Sequence, residues 1–395
     1  MAEDLTLYTK GGRVGRAGMS YTDDNGFVEV AEGDCVRNSP KTIVNSSGLL
    51  EEIPDDFPPV SYENGESLLN PEDSSENLTK WSEDFTQSLW TKTNASISPL
   101  QTTSPFKDVL ADKLVEDSSF SNHFVVQLTA LLDGDSSTYI YAKKSERNWM
   151  ALNIGGGSER YAYFDLENGV TGGLVGLPSS SIESVGGGWY KCIVNYNISS
   201  GGKRISVYLS DSDLGINYQG DGSSGVFIIG ASQEQKIKES SYIKTEATTQ
   251  TRQPDSITNI GRAELFNSKK GSLKAYVKGQ TNGGVIRAFS LNDKTDENRI
   301  CIYLHPDVNK IGAVVSSLGV DTYIVPSGLN QLQYNYVQLD WDDGVYTFTV
   351  NGIILGTANY NTFPSGTINN FSFDLGDGTS PFRDYIHGLE IIGKS

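Results

Sequence analysis

Strict alternation of apolar and polar residues is the feature that most constrains the fold of this chain. Val337, Leu339 and Trp341 alternate with polar residues, and after an Asp-Gly pair Tyr346 and Phe348 alternate with threonines. A period of two places successive side chains on opposite faces of a β-strand, so one row of each strand is predicted to be buried. Asp-Gly and Asn-Gly pairs between such runs indicate tight hairpin turns. The last third of the chain is therefore predicted to be an antiparallel meander.

The same period recurs in the middle of the chain. Val194 and Tyr196 share one face of a predicted strand, and Ile205 and Val207 share one face of the next. The Ser-Ser-Gly-Gly stretch 199–202 between them predicts a hairpin-type loop. The 42 glycines and 20 tyrosines among 395 residues also favour strands and turns over helices. Short strands with a turn about every ten residues predict an all-β chain of sandwich or jelly-roll domains.

Charge and hydropathy exclude several classes of partner. The chain has 31 Lys and Arg against 49 Asp and Glu, a formal net charge of −18. It lacks the basic footprint that nucleic-acid binding and adhesion to anionic membranes require. No run of about 18 apolar residues predicts a spanning helix, and no basic segment followed by an apolar one predicts a signal peptide. We therefore expect synthesis in a cytoplasm, no membrane insertion and no nucleic-acid partner.

The residues that most often bind metals are few and scattered. They are Cys35, Cys192, Cys301, His123, His305 and His387. Cysteines this far apart form neither a disulfide framework nor a zinc site. The histidine spacing does not place two imidazoles on one metal ion, so we expect solitary surface or loop histidines.

Acidic loops are the remaining candidates for a cofactor. Loops 133–135, 211–213, 221–222 and 374–377 carry the carboxylates that calcium prefers, but none has the EF-hand spacing. Aspartates before glycine are more commonly turn residues. We therefore predict no cofactor, with calcium as the alternative.

Catalytic signatures are weak. The chain has neither the Gly-x-Ser-x-Gly elbow of serine esterases nor a Walker phosphate loop. Glycoside hydrolysis needs two carboxylates roughly 5 to 9.5 Å apart, and Asp340 and Asp342 share one face of a predicted strand. Solvent-facing residues opposite a core-facing Trp341 are the simpler interpretation. We therefore expect a protein that is not an enzyme.

Aromatic rings near flexible loops are the other chemical resource. Six of them lie beside stretches rich in Gly, Ser or Asn: Trp149, Tyr161, Tyr163, Trp189, Tyr218 and Tyr360. A flat ring can stack on the apolar face of a sugar while nearby polar groups bind its hydroxyls. Trp189 is expected to point inward where its strand begins. The candidate glycan-binding residues are Trp149, Tyr161, Tyr218 and Tyr360.

Ten stretches in the middle of the chain follow one another in a recognisable order: Asn77–Phe85, Trp90–Lys92, Ala111–Glu116, Tyr139–Lys143, Trp149, Ala162–Leu166, Gly188–Cys192, Gly220–Gly225, Ser241–Thr245 and Thr251–Arg252. Together they resemble a jelly-roll, carbohydrate-binding-like module of tailed-bacteriophage virion and tail proteins. Each stretch is moderately specific, and their order carries the resemblance. It implies that Lys113 and Leu114 enter a strand, although the amphipathic pattern of 105–117 alone also fits a helix.

The two ends of the chain carry further resemblances. Three stretches near the N-terminus are similar to the segment that precedes such modules in phage proteins: Arg13–Gly18, Gly26–Glu29 and Glu66–Leu69. The acidic, proline-containing sequence of residues 53–60 departs from that pattern. The C-terminal part is similar to concanavalin- and laminin-G-like sandwiches. The stretches that carry this likeness are Asn298–Ile300, Gln338–Gly344, Val350–Gly352 and Tyr385–Ile392.

These resemblances imply three consecutive segments. Residues 1–76 are predicted to be an extended, mostly irregular attachment segment that docks on other virion proteins. Residues 77–253 are predicted to be the jelly-roll module, and residues 254–395 the concanavalin- or laminin-G-like sandwich. The implied protein is a virion component, such as a tail fibre, spike or appendage, that recognises host-surface glycans as a homo-oligomer, with a trimer expected.

Two other functions are compatible with the same sequence. A head or tail decoration would brace a shell and bind no sugar. A polysaccharide depolymerase would use a carboxylate pair in a cleft, and its activity would be lost in Asp340→Asn or Asp342→Asn with folding unchanged.

Overall fold

A computed structural model describes residues 4–6, 16–23, 26–63, 65–155, 160–177, 179–198, 203–258, 266–281 and 283–393. These residues form strands, turns and connecting loops, with no helix among them. The predicted all-β class is confirmed. Within the same residues, no helix is long and apolar enough to cross a membrane.

The strands are numbered in chain order. The first half of them comprises β1 Asp4–Thr6, β2 Arg16–Asp23, β3 Gly26–Val36, β4 Lys41–Val44, β5 Leu50–Ile53, β6 Val60–Glu63, β7 Glu66–Leu69, β8 Ser75–Asn77, β9 Thr91–Thr93, β10 Ala95–Thr103, β11 Leu110–Glu116, β12 Phe120–Asn122, β13 Phe124–Leu128, β14 Gly134–Lys144, β15 Trp149–Gly155, β16 Tyr161–Asp165 and β17 Val170–Val175. The second half comprises β18 Ser179–Ser184, β19 Trp189–Ile198, β20 Lys203–Ser210, β21 Asn217–Gln219, β22 Gly225–Glu234, β23 Gln250–Arg252, β24 Ser256–Thr258, β25 Lys270–Lys278, β26 Arg287–Asn292, β27 Arg299–Leu304, β28 Ile311–Ser317, β29 Val320–Ile324, β30 Asn335–Asp342, β31 Val345–Val350, β32 Ile353–Asn359, β33 Asn370–Ser372 and β34 Tyr385–Gly393.

The chain forms two compact units that interleave in sequence. The terminal unit comprises Met1–Pro40, Ile53–Asp73 and Gln253–Ser395. The central unit comprises Lys41–Glu52 and Ser74–Arg252. Each unit takes strands from residues 1–76, and the three-segment division remains a prediction of the sequence.

The terminal unit is a sandwich of two antiparallel sheets. The larger sheet runs β24-β3-β2-β1-β34-β25-β30-β31-β32, with β7 also paired to β34 and β6 to β7, and the smaller runs β29-β28-β27-β26-β33. One apolar cluster joins them, in which Leu273, Leu339 and Phe348 of the larger sheet meet Phe289 and Ile302 of the smaller. The alternation read from the sequence therefore selects the buried row of each strand.

The central unit is a second sandwich. Its β14 sheet runs β10-β11-β22-β14-β19-β18, and its β15 sheet runs β17-β16-β15-β20-β13-β9. Leu152, Phe164 and Val207 of the β15 sheet pack against Ile140 and Val194 of the β14 sheet. Because those rows fill the shared core, the intervening side chains of each strand lie on the outer faces.

The predicted meander of the C-terminal part is confirmed. β30, β31 and β32 pair in sequence through the turns at Asp343-Gly344 and Asn351-Gly352. All four turn residues have positive φ, from 37° at Asp343 to 100° at Gly344. Asn, Asp and Gly adopt that conformation most readily, which is why these pairs identify hairpins. The strand predicted at Lys113 and Leu114 is also confirmed as β11.

The hairpin predicted around 199–202 is wrong. β19 pairs with β14 and β18, whereas β20 pairs with β15 and β13 in the opposite sheet. The predicted buried residues Tyr196 and Val207 do face the core, but from opposite sides of the sandwich. A Gly-Ser loop suits either a hairpin or a connection between sheets, and residues 199–202 themselves lie outside the described residues.

The N-terminal segment is more regular than its composition predicts. It contains β1 to β7 and the start of β8. Some of these strands pair with their neighbours in sequence, as β2 does with β3, β4 with β5 and β6 with β7. Others have distant partners: β1 pairs with β34, β3 with β24, and β8 with β23. The distant pairings have no local signal in the sequence, and the polar, proline-bearing composition hid the local ones.

The shared core of the central unit yields a direct test. Leu152 is fully buried in β15, whereas Leu128 at the end of β13 is 75% exposed. Leu152→Ala should lower the free energy of unfolding by about 2–5 kcal/mol because it leaves a cavity in the core. Leu128→Ala should change it by less than about 0.5 kcal/mol. Denaturant unfolding of both variants checks this, and equal effects would contradict the assignment of faces.

Candidate functional site

The outer face of the β14 sheet is covered by other parts of the central unit. The ring of Phe106 lies 4.7 Å from that of Tyr242 and 5.2 Å from that of Tyr141 on the sheet. Leu50 of β5 belongs to the same buried cluster. Trp189 is 2% exposed there, and its indole nitrogen donates to the carbonyl of Thr103. It is therefore buried as predicted, but under the cover of the outer face and not in the core between the sheets. This face offers little to a ligand.

The outer face of the β15 sheet carries a different set of side chains. β-strand alternation and cross-strand register bring together residues of β13, β15, β16 and β20. These residues, which we call the aromatic face, are Phe124, Trp149, Ala151, Asn153, Tyr161, Tyr163, Arg204, Ser206 and Tyr208. The sheet therefore brings two of the predicted glycan-binding residues, Trp149 and Tyr161, onto one surface.

The rings of the aromatic face pack on one another. Tyr208 stacks on Phe124 with centroids 4.4 Å apart and planes 15° apart. Tyr161 meets Tyr208 edge to face at 5.3 Å. Tyr161 is consequently only 5% exposed, while Phe124 and Trp149 are half-buried. The surface presents the rims of closely packed rings and two half-exposed aromatic side chains at its margin.

One end of the aromatic face is closed by a neighbouring loop. The backbone N–H of Gly173 in β17 donates to Asp213 at 2.7 Å. A Cβ added to Gly172 would come within 2.6 Å of the Trp149 ring and 2.5 Å of Asp213. Glycine at 172 thus permits β17 and the 211–216 loop to close against Trp149.

The other end of the aromatic face is polar. Asn153 and Ser206 lie directly opposite each other across β15 and β20. Asn153 Oδ1 accepts hydrogen bonds from Arg204 Nε at 3.0 Å and from the N–H of Gly155 at 3.0 Å. Asn153 Nδ2 and Ser206 Oγ are buried and have no hydrogen-bond partner among the described residues. Buried polar atoms without partners are rare, because each costs about 1–3 kcal/mol.

Tyr218 lies elsewhere, in a buried ionic network. Its hydroxyl donates to Glu116 at 2.7 Å, and the Arg147 guanidinium lies 4.9 Å from the centre of its ring. Arg147 also donates two hydrogen bonds to Glu116, and the backbone N–H of Asp221 donates a third. Burial raises the pKa of Tyr218, and its bond to Glu116 raises it further. Burial also acts to raise the pKa of Glu116, but the bonds from Arg147 and Tyr218 outweigh it, so the pKa is lowered.

The remaining predicted rings also have defined places. Tyr360 is 9% exposed in the core of the terminal unit, between Tyr346 and Phe363. Tyr163 is 2% exposed on the aromatic face. The structure therefore does not bring Tyr218 or Tyr360 to the aromatic face, and their contact with a glycan remains a prediction.

The carboxylate pair considered for hydrolysis lies on the outer face of β30. Trp341 between them is 2% exposed in the core, as the simpler interpretation expected. Gln338 Nε2 donates to Asp340 at 2.6 Å, and Lys270 forms an ion pair with Asp342 at 2.9 Å. The two carboxylates are engaged by neighbouring side chains on that face.

Two of the acidic loops direct a carboxylate at turn amides. Asp221 Oδ1 accepts from the N–H groups of Ser223 and Ser224, both at 2.7 Å. Asp374 Oδ1 accepts from the N–H of Gly376 at 2.6 Å. The described part of the chain contains no group of three or more His, Cys, Asp or Glu placed to hold a metal ion.

One histidine departs from the expected surface location. His123 is fully buried between β12 and β13, where its Nδ1 lies 2.7 Å from the carbonyl oxygen of Asn94. Its ring packs 4.9 Å from that of Tyr218. A single histidine in the short connection between two strands gave no sign of this burial in the sequence.

A second aromatic surface, on the terminal unit, was not found from the sequence. Tyr276 stacks on His387 with centroids 4.7 Å apart, and Lys278 Nζ lies 4.9 Å from the centre of the Tyr334 ring and 5.2 Å from that of Tyr385. We call these residues the stacked stripe. β25, β30 and β34 are brought together only by the sheet. Their ring faces are occupied by each other and by a lysine, which leaves less for a ligand to stack on.

The terminal unit also has a shallow pocket of about 380 Å³. The positively charged side chain in its lining, Arg287, forms an ion pair with Asp384 at 3.0 Å and donates a hydrogen bond to Gln331 at 2.7 Å. The residues that line it are Asp73, Val285, Ile286, Arg287, Ser380 and Pro381. With its charge already neutralised, this pocket carries no clear ligand chemistry.

Comparison with known proteins gives little beyond the fold class. No protein-family model and no curated protein matches the chain. Two similar solved structures are domains LG4-5 of the mouse laminin alpha1 chain and the LG1-3 region of the laminin alpha2 chain. The first has a TM-score of 0.24 at 10% identity, with 82% of this chain and 89% of that chain covered. The second has a TM-score of 0.18 at 10% identity, with 98% and 88% covered. Scores this low carry no conclusion about ligand or function.

The Glu116 network predicts a pH dependence of stability. Because the folded pKa of Glu116 lies below its ordinary value of 4.5, ionised Glu116 stabilises the fold above that pH, and this contribution is lost as the pH falls through the folded pKa. Glu116→Gln should therefore unfold more easily than the parent at pH 7, and the difference should shrink below pH 4.5. Denaturant unfolding from pH 7 to pH 3 tests this. A difference that stays constant across that range would show that the charge of Glu116 is not involved.

Proposed function

We propose that the chain binds glycans at the aromatic face, without cleaving them. The observation that carries the proposal is the polar end of that face. There Asn153 and Ser206 lie opposite each other, and neither Asn153 Nδ2 nor Ser206 Oγ has a partner in the described part of the chain; Tyr161 and Arg204 are next to them. Carbohydrates suit such a surface because each pyranose has an apolar face and a rim of hydroxyls.

Binding would supply hydrogen bonds to two buried polar atoms that lack them in the free protein. A sugar hydroxyl can accept from the Asn153 amide and exchange a hydrogen bond with the Ser206 hydroxyl, which satisfies both atoms. Access to them requires side chains above them to move.

The expected affinity of one site is modest. A shallow face with few polar contacts is typical of dissociation constants of about millimolar to micromolar. A homo-oligomer that presents several copies to one surface would raise the apparent affinity by roughly a hundredfold or more. We therefore propose a homo-oligomer, with a trimer as the first expectation.

We also propose that the chain is a bacteriophage virion component that attaches to host-surface polysaccharide. The support is the order of motifs in the sequence that resembles phage tail modules. Attachment to other virion proteins through residues 1–76, assembly in the host cytoplasm and location in a tail fibre or spike all rest on that resemblance.

A bracing role without sugar binding is the second candidate. It is favoured by an apolar margin of the terminal unit, where Ile353 and Ile354 are 64% and 67% exposed on β32. β32 ends the larger sheet, so its outer backbone groups have no neighbouring strand in that sheet. Exposed apolar edge strands favour contact with another protein.

Glycan binding can be tested with a pair of serine variants. Ser206→Ala removes an unpartnered buried hydroxyl, so the free energy of unfolding should stay the same or rise by about 1 kcal/mol. If Ser206 binds sugar, the affinity for an array of bacterial surface polysaccharides should fall by about threefold to tenfold. Interferometry on the array measures affinity, and denaturant unfolding measures stability.

Ser137→Ala is the matched control. Ser137 Oγ is also buried and without a partner among the described residues, but it lies on the β14 sheet. This variant should retain full affinity. Loss of binding in both variants, or in neither, would contradict a site at Ser206, and no binding by the parent chain to any polysaccharide would favour the bracing role. Release of reducing ends over hours would instead indicate a depolymerase.

Virion membership and assembly have separate tests. We expect light scattering coupled to size exclusion to give three times the mass of one chain. Antibodies against the purified protein should label the tails of intact phage particles by electron microscopy. A monomer in solution and unlabelled particles would contradict these two proposals and leave the sugar site unaffected.

A further inference from the structure

Arg204 differs from most of the arginines whose surroundings the structure describes. Arg37, Arg147, Arg287, Arg299 and Arg383 each form an ion pair with a carboxylate of their own unit. Arg204 has no ion pair with any described residue, and its side chain donates to the neutral amide oxygen of Asn153 at 3.0 Å. In a chain with 18 more acidic than basic residues, a half-buried arginine without a carboxylate is unexpected.

The bond to Asn153 orients the guanidinium. Nε is the donor of that bond, and the two terminal nitrogens make no hydrogen bond to a described residue. A guanidinium fixed at Nε offers its terminal N–H groups as a planar fork, the geometry that matches the two oxygens of a carboxylate. The same Asn153 oxygen also accepts from the backbone N–H of Gly155, which holds the amide in place.

We propose that the ligand of the aromatic face is an acidic glycan whose carboxylate pairs with Arg204. This inference rests on the proposed glycan binding and names its substrate class. The carboxylate of the glycan plays the part that an Asp or Glu side chain plays for each of the five ion-paired arginines of this chain. The sugar ring that carries it then lies over Tyr161, within reach of Asn153 and Ser206.

The negative net charge of the chain does not oppose this pairing. At an ionic strength of 0.15 M, charges more than about 8 Å apart are largely screened, so the distant carboxylates repel the ligand weakly. A direct contact at a half-buried guanidinium is screened much less. The net charge would instead reduce unspecific adsorption of acidic polymers elsewhere on the surface.

The test compares one polysaccharide in two chemical forms. The acidic polysaccharide that binds best on the array is used as isolated and after its carboxylates have been reduced to primary alcohols. The parent chain should bind the acidic form about tenfold to a hundredfold more tightly, as expected for a charge-assisted bond. Arg204→Gln should lose that preference, and Arg204→Lys should keep part of it because the charge remains without the fork.

Lys203→Gln is the matched control. It removes the same charge from the adjacent residue, whose ammonium group pairs with Asp133 at 2.6 Å rather than with the aromatic face. It should keep the preference for the acidic form. Equal affinity of the parent for both forms, or a preference that survives Arg204→Gln, would overturn the inference while glycan binding stands. Binding to neutral polysaccharides alone would do the same, and binding to none would overturn the proposed function itself.

Discussion

The need to fill one core from two sheets determines where every other side chain of the central unit lies. Leu152, Phe164 and Val207 point inward, so the residues directly before and after each of them in its strand must point outward. On the β14 sheet that outward row is covered by Leu50, Phe106 and Tyr242. On the β15 sheet it remains as a packed aromatic surface with a polar end. The candidate site is thus a by-product of core formation, placed by the same alternation that stabilises the sandwich.

The chain carries two aromatic surfaces, and their polar groups separate them. In the stacked stripe, Lys278 pairs with Glu63, and the adjacent Lys274 pairs with Glu390, so the charges beside the rings are already satisfied. On the aromatic face, Asn153 Nδ2 and Ser206 Oγ have no hydrogen-bond partner among the described residues. A fold tolerates an unpaired buried polar group where a ligand can form the missing hydrogen bond, whereas a fully hydrogen-bonded network mainly adds rigidity. Ring content alone would not distinguish the two surfaces.

Sequence reasoning succeeded where structure is local and failed where it is not. The turn at Asn351-Gly352 could be predicted, because the conformation of those two residues is fixed by their own chemistry. Trp149 and Tyr161 could be put forward as candidates because rings near glycine-rich loops are easy to recognise. Arg204 could not, since nothing in the sequence says that its neighbour across the sheet is Asn153. The buried position of Tyr218 escaped for the same reason, because its partner Glu116 lies 102 residues earlier in the chain.

The position of β34 has a consequence for how the protein is made. This last strand lies between β1 and β25 in the larger sheet of the terminal unit. A ribosome adding about 5–20 residues per second needs roughly twenty seconds to more than a minute between β1 and β34. The central unit, complete by Arg252, can fold while that wait continues. Meanwhile β1 and β25 have open edges that invite pairing with other nascent chains. Translation speed and chaperone access should therefore govern the yield of the terminal unit far more than that of the central one.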